Sequence, residues 1–411
     1  MHCEAYEQNR CRSCSLIRQP YALQWAEKLA QARALLDRFG PVHWLDPVIS
    51  KESGFRNKAK MVVGGSAAQP TLGILDGTGR GVDLSDCPLY PPAVTRSFPV
   101  LAAFIRRAGI QPYDVPARTG ELKFLLVTIA EHSGELMLRL VLRSTGPLAR
   151  IRKHLPELYA ALPDLRVVSA NIQPEHKAVI EGDIEIVLSV DEALPMRLND
   201  LTLYLRPRSF FQTNTVVAAA LYRQARDWVG AVDPPALWDL YCGVGGFALH
   251  CADGRRAVTG VEVSTDAIAS ACRSRDELGL ATLHFHSADA SAFARAAAEL
   301  PPLVIVNPPR RGMGAQLGKI LRESQVRHIV YSSCNPTTLA HDIAHLADFK
   351  LRQARLFDMF PHTTHYELCC LLAADRELDL LPLVWLASQE TVLDGLSVRI
   401  VEETSLGDSS A

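Results

Sequence analysis

Three groups of residues in this chain have types and spacings that could do chemistry. The first is Asp239-Leu240-Tyr241-Cys242-Gly243-Val244-Gly245-Gly246-Phe247, in which three glycines follow an apolar run and precede a helical one. Glycines there let a ligand approach the backbone at the carboxyl edge of a sheet. Glu262 ends the next apolar run, roughly 20 residues on, where a carboxylate can accept hydrogen bonds from ribose hydroxyls. Ala248 stands where a dinucleotide fingerprint would have its third glycine. S-adenosylmethionine (SAM) has no pyrophosphate to cradle, so this departure favours SAM over a nicotinamide cofactor. The second group lies at other strand ends. Val306-Asn307-Pro308-Pro309-Arg310 alone suggests amino-group methylation, because Asn-Pro-Pro can hold a planar nitrogen. Ser332-Ser333-Cys334-Asn335-Pro336 adds a cysteine at the end of a strand, and Phe360-Pro361-His362-Thr363-Thr364-His365-Tyr366-Glu367 adds a carboxylate just before the last one. The third group is Cys3, Cys11 and Cys14 with Cys87 far downstream, four soft ligands that by type alone suit either structural zinc or a [4Fe–4S] cluster.

These residues need a scaffold, and the pattern supplies one. From Leu221 on, helical stretches alternate with short apolar runs at 236–243, 257–263, 282–289, 302–309, 328–334 and 367–373. That alternation predicts a doubly wound, mainly parallel sheet. The first half is different. Residues 21–39 carry apolar positions at helical spacing up to Gly40-Pro41, and the segment around Lys58 and residues 70–90 read as short strands. Residues 122–130 and 135–143 flank Glu131-His132-Ser133-Gly134 as a hairpin, with further strands at 184–190 and 201–207.

Composition excludes several classes. A chain of 411 residues with 48% hydrophobic and 21% charged residues is neither disordered nor fibrous. No apolar run is long enough to span a bilayer, and Met1–Cys14 has no signal-peptide character, so the expected location is the cytoplasm. The net charge of −2 hides an asymmetry: residues 375–411 hold eight acids and two bases, leaving 1–374 mildly basic. Basic clusters sit at Arg56-Asn57-Lys58-Ala59-Lys60 and Arg150-Ile151-Arg152-Lys153-His154.

Five segments, Phe211-Gln212-Thr213-Asn214, the glycine loop, the Asn307 motif, the Cys334 motif and the Glu367 motif, follow one another at the spacing of the RNA 5-methyluridine methyltransferases, which the chain resembles over roughly residues 1–374. Within that family it is most similar to the subgroup acting on uracil(747) of 23S ribosomal RNA. The resemblance implies a C-terminal Rossmann-like, class I SAM-dependent methyltransferase domain of α/β class at 206–374. It also implies a cysteine-rich iron–sulfur region at 1–90 and a β-rich central domain with RNA contact at 91–205, while the acidic tail at 375–411 has no counterpart in the family pattern. It assigns Cys334 as the nucleophile that adds to uracil C6, because C5 is too weak a nucleophile to take a methyl group directly. It assigns Glu367 as the base that removes the C5 proton afterwards. Gln212, Tyr241, Glu262 and Asn307 become SAM contacts, Asp289 an adenine contact, and Arg310 a partner of the enolate oxygen. Cys3, Cys11, Cys14 and Cys87 become ligands of a [4Fe–4S] cluster. The expected partner is 23S ribosomal RNA, with a monomeric enzyme, no DNA and no membrane. The alternatives are the same chemistry at another ribosomal site or on transfer RNA, and a non-catalytic RNA-binding or assembly factor.

Overall fold

The structure, a computed structural model, describes residues 1–177 and 179–375; the expected acidic tail lies outside them, apart from Asp375. At the start, Cys3 precedes the short helix α1 (Glu4–Glu7), followed by α2 (Tyr21–Leu36) and the two-residue strand β1 (His43–Trp44). The buried face of α2 is Gln24, Lys28, Ala32 and Leu36, an i, i+4 series that includes two polar residues. Apolar periodicity predicts the helix but not this face.

Strands β2 (Lys58–Gly65), β3 (Pro70–Leu75) and β4 (Gly81–Asp83) come next, then α3 (Pro92–Ala108), β5 (Leu122–Ile129) and β6 (Leu136–Leu142). Helix α4 (Leu148–Ala161) leads to β7 (Leu165–Ile172) and β8 (Ile184–Val187). These strands form one seven-stranded sheet in the order β4-β3-β2-β5-β6-β7-β8. The expected boundary at residue 90 therefore falls between strands of a single sheet. Helices α3 and α4 pack Phe98, Leu101, Ile105, Ile151 and Leu158 onto it. β6 is buried along its whole length, which accounts for its nearly continuous apolar run. The exception there, Arg139, is paired with Glu181 and Glu185.

A hairpin of β9 (Leu194–Leu198) and β10 (Leu201–Leu205) leads through α5 (Thr215–Val232) into the second half. There β11 (Ala236–Leu240), α6 (Gly246–Cys251), β12 (Ala257–Glu262), α7 (Thr265–Glu277), β13 (Leu283–Ser287) and α8 (Ala290–Ala296) alternate as the sequence predicts. They continue into β14 (Leu303–Val306), α9 (Gly314–Glu323), β15 (His328–Ser333), α10 (Pro336–His345), β16 (Phe349–Phe357) and β17 (Glu367–Ala374). The sheet order is β13-β12-β11-β14-β15-β17-β16-β1. β11 through β15 pair in parallel, whereas β17 runs antiparallel between β15 and β16. The eighth strand is β1, which pairs in parallel with β16 and brings the N-terminal segment into this sheet. Apolar cores cover both faces, one including α5 and α6, the other α2, α9 and α10. Among the described residues no helix is long and apolar enough to cross a membrane.

Candidate active site

Strand direction assembles the site. The parallel strands β11, β12, β14 and β15 all end on one edge, so the glycine loop, Glu262, Asn307 and Cys334 emerge side by side. Because β17 is antiparallel, its first residue lies at that same edge: Ser333 pairs with Leu368, and Glu367 pairs with Phe357 of β16. Two residues separated by more than thirty positions are thereby brought together.

The glycine loop is shaped for a ligand. Gly243 has φ +54° with nothing within 4 Å of where a Cβ would stand, so its backbone faces open space. At Gly246 the reverse holds, since a Cβ would lie 2.5 Å from the Tyr222 ring. The Gly243 N–H donates to Glu262 Oε2 at 3.3 Å and the Ser264 N–H to Oε1 at 3.0 Å, which fixes the carboxylate beside the loop. Asp239 is fully buried, and burial pushes it up to about 8; its Oδ2 accepts from the Ala248 N–H at 2.9 Å. Tyr241, in the left-handed region at φ +68°, and Asp289, which caps α8 through Ala292, lie close enough to interact electrostatically. These donors and acceptors around an open glycine backbone fit the ribose and adenine of SAM.

Gln212 is not on the sheet edge but is buried just before α5. Asn57 holds its segment: Nδ2 donates to the Gln212 carbonyl and to Thr215 Oγ1, both at 2.9 Å, and the Asn57 N–H donates to the Thr213 carbonyl at 2.8 Å. Asn57 sits inside a basic run, and nothing in its local sequence marks this task.

Cys334 is half-buried. Burial raises its thiol, the neighbouring Glu367 carboxylate raises it further, and a hydrogen bond from Arg310 pulls it down. The loop carrying Arg310 is tied to the cysteine loop, since Asn335 Nδ2 and Thr338 Oγ1 both donate to the Arg310 carbonyl. Glu367 is 2% exposed, and burial pushes it up to about 7 while a 2.6 Å hydrogen bond from Ser332 Oγ opposes that rise. A carboxylate near neutrality beside a thiol can both accept and release a proton at physiological pH.

The segment before Glu367 is clamped by α2, which the sequence does not reveal. Lys28 Nζ donates to Asp358 Oδ1 at 2.7 Å and to the Phe360 carbonyl at 3.1 Å, and the Tyr21 hydroxyl donates to Asp358 Oδ2 at 2.8 Å. His362, at φ +64°, gives its N–H to Gln24 Oε1, and its carbonyl accepts from the Leu16 N–H. The chain just past Cys14 thus touches the loop that delivers Glu367.

The four N-terminal-region cysteines, Cys3, Cys11, Cys14 and Cys87, are free thiols that line one cavity of about 190 Å³ together with Arg56. They sense one another: Cys14 is pushed up to about 12 by burial and by Cys87, Cys11 and Cys3. Among the described residues no group of three or more His, Cys, Asp or Glu is arranged to hold a metal ion. The remaining cysteines are elsewhere, Cys242, Cys251, Cys369 and Cys370 being buried in the second half.

Known proteins match this architecture. Residues 176–375 match the tRNA (Uracil-5-)-methyltransferase family. The 23S rRNA (uracil(747)-C(5))-methyltransferase RlmC of Yersinia pseudotuberculosis serotype I is 51% identical over 376 residues, covering 92% of this chain and 100% of that protein. The protein of the same name from Yersinia pestis (strain Pestoides F) matches equally, at 51% over the same shares. Among solved structures, the Pyrococcus abyssi tRNA (uracil-54, C5)-methyltransferase in complex with S-adenosyl-L-homocysteine superposes with a TM-score of 0.74 at 26% identity, over 88% of this chain and 85% of that one. At 51% identity over 92% of its length to such relatives, and with the fold of a solved uracil-C5 methyltransferase, the chain belongs to the RNA uracil-C5 methyltransferase family.

Proposed function

We propose that this protein methylates C5 of a uridine in 23S ribosomal RNA, at a site of the 747 type, through a covalent adduct. The observation that carries the reading is the shared edge on which Cys334 and Glu367 meet beside the glycine loop. Gln212, Tyr241, Glu262 and Asn307 hold SAM, with Asp289 toward the adenine. Bound SAM supplies an electrophilic methyl group. Cys334 Sγ adds to C6 of the flipped-out uracil and places negative charge on the ring, with Arg310 beside the developing enolate. C5 of the enolate takes the methyl group that SAM would supply, the methyl–sulfur electrons leaving with S-adenosylhomocysteine. Glu367 then takes the C5 proton, the C5–H pair re-forms the ring double bond, and the Cys334–C6 bond breaks with its electrons returning to sulfur. The raised Glu367 suits a base that must work near neutral pH.

Cys3, Cys11, Cys14 and Cys87 hold a [4Fe–4S] cluster on this reading. The support is four free thiols around one cavity roomier than a single ion needs, with the Arg56 charge opposing that of the ligands. The cluster supplies a structural cross-link, and no catalytic step passes through it. Exposed Arg106, Arg107, Arg150, Arg152 and Lys153 on α3 and α4 offer the central sheet's helical face to RNA phosphates, and the protein works in the cytoplasm.

The test combines mapping with trapping. Ribosomal and transfer RNA from cells lacking the protein should lose one 5-methyluridine in 23S RNA and none in transfer RNA. Cys334→Ala should form no RNA adduct, whereas Glu367→Gln should methylate once and remain attached. Loss of a transfer-RNA methyl group instead would overturn the substrate, and a methylating Cys334→Ala would overturn the covalent route.

A further inference from the structure

We propose that Ser332 is a positioning residue for the general base: its hydroxyl holds Glu367 Oε1 and leaves Oε2 to receive the C5 proton. The proposal rests on Glu367 being that base. Ser332 lies in β15, every residue of which is buried, and is itself 0% exposed. A hydroxyl in such a strand costs desolvation unless it is hydrogen-bonded, and an alanine or valine would pack there without that cost. Its partner is the Glu367 carboxylate, at 2.6 Å from Oγ to Oε1. The two strands deliver both groups rigidly, since Ser332 pairs with Cys369, two residues along from Glu367, so their side chains share one face of the sheet.

The bond has two consequences. A carboxylate turned freely could present either oxygen or rotate away, whereas one held at Oε1 has a fixed orientation toward the edge where Cys334 stands. The proton leaves C5 for Oε2, the C5–H pair forms the C5–C6 double bond, and the C6–S pair returns to Cys334. The hydroxyl also favours the ionised carboxylate against the burial that opposes it. Cys334 beyond β15, Cys369 on its own strand and Tyr222 on α5 are titratable groups that register the Glu367 charge. Arg310 acts on Cys334. Of these neighbours, Ser332 is the one that donates to the carboxylate.

The experiment is a single-turnover reaction of the full-length protein with SAM and a 23S RNA fragment containing the target uridine. Formation and decay of the adduct are followed separately on denaturing gels, from about pH 6 to about pH 9. Ser332→Ala should form the adduct no more slowly than wild type, because a Glu367 kept protonated to higher pH raises the Cys334 thiol less. Its decay should shift to higher pH by about one unit, so that decay below the midpoint is about tenfold slower and recovers at alkaline pH. Recovery with pH is the signature that a packing defect would not give. An unshifted decay midpoint, or equal losses in formation and decay, would overturn the role of Ser332. Glu367→Gln is run alongside. If it traps the adduct while Ser332→Ala decays normally, the Ser332 proposal alone fails; if it traps nothing, the base assignment fails and takes the proposal with it.

Discussion

Replacing Lys28 by Met should cost this protein about 3 kcal/mol of stability, the lower end of the range for breaking a buried ion pair by removing one partner. The structure sets the magnitude. Lys28 and Asp358 have side-chain exposures of 2% and 0%, with Nζ and Oδ1 at 2.7 Å, so the surviving carboxylate has no route to water. It retains one donor, the Tyr21 hydroxyl at 2.8 Å, which is why the lower end applies. The Phe360 carbonyl also loses its 3.1 Å donor, which loosens the segment leading to Glu367. Urea unfolding at fixed pH measures the loss. The double variant Lys28→Met/Asp358→Asn should recover at least half of it, because the unpaired charge is then gone. A loss below about 1 kcal/mol, or a double variant no better than the single one, would refute the claim that a desolvated charge pair clamps this loop.

Four further outcomes follow from the geometry. Gly246→Ala should weaken SAM binding at least tenfold by equilibrium dialysis, because a Cβ 2.5 Å from the Tyr222 ring forces the loop or the ring to move. Asn57→Ala should lower stability by about 1–3 kcal/mol through its lost bonds to Gln212 and Thr215, and should raise the Kd for SAM without altering Cys334 alkylation. Glu367 and Asp239 have native values raised to about 7 and about 8, so their protonated forms favour the fold at acid pH, and that contribution is lost as pH rises from the ordinary carboxyl range, about 4, through those native values. The melting temperature should therefore fall between about pH 4 and pH 8 and level off above that, and Asp239→Asn should flatten the fall; an unchanged slope would count against the buried carboxyl. Anaerobically purified protein should be brown, and Cys87→Ser should bleach it; stoichiometric zinc without iron would remove the cluster from the account.

The sequence by itself determined the catalytic half in outline. Its strands are short apolar runs separated by helical stretches, and a parallel sheet buried on both faces needs that pattern. The glycines at 243, 245 and 246 mark the loop, and Glu262 the next strand end, because local backbone demands are written locally. Strand β16 (Phe349–Phe357), with Lys350, Arg352, Gln353 and Arg355 interrupting its apolar positions, gave no such signal. Tertiary structure decided what depends on direction and on distant partners. That Glu367 begins an antiparallel strand beside β15 sets it against Ser332, and no local pattern encodes strand direction. That β1 joins the catalytic sheet, and that β2 to β4 join the central one, follows from pairings across more than sixty and up to several hundred positions. Periodicity alone would place Gln24 and Lys28, as polar residues, on the solvated side of α2. They lie inward since Asp358 and His362, more than 300 positions away, supply the hydrogen bonds that make burying them tolerable.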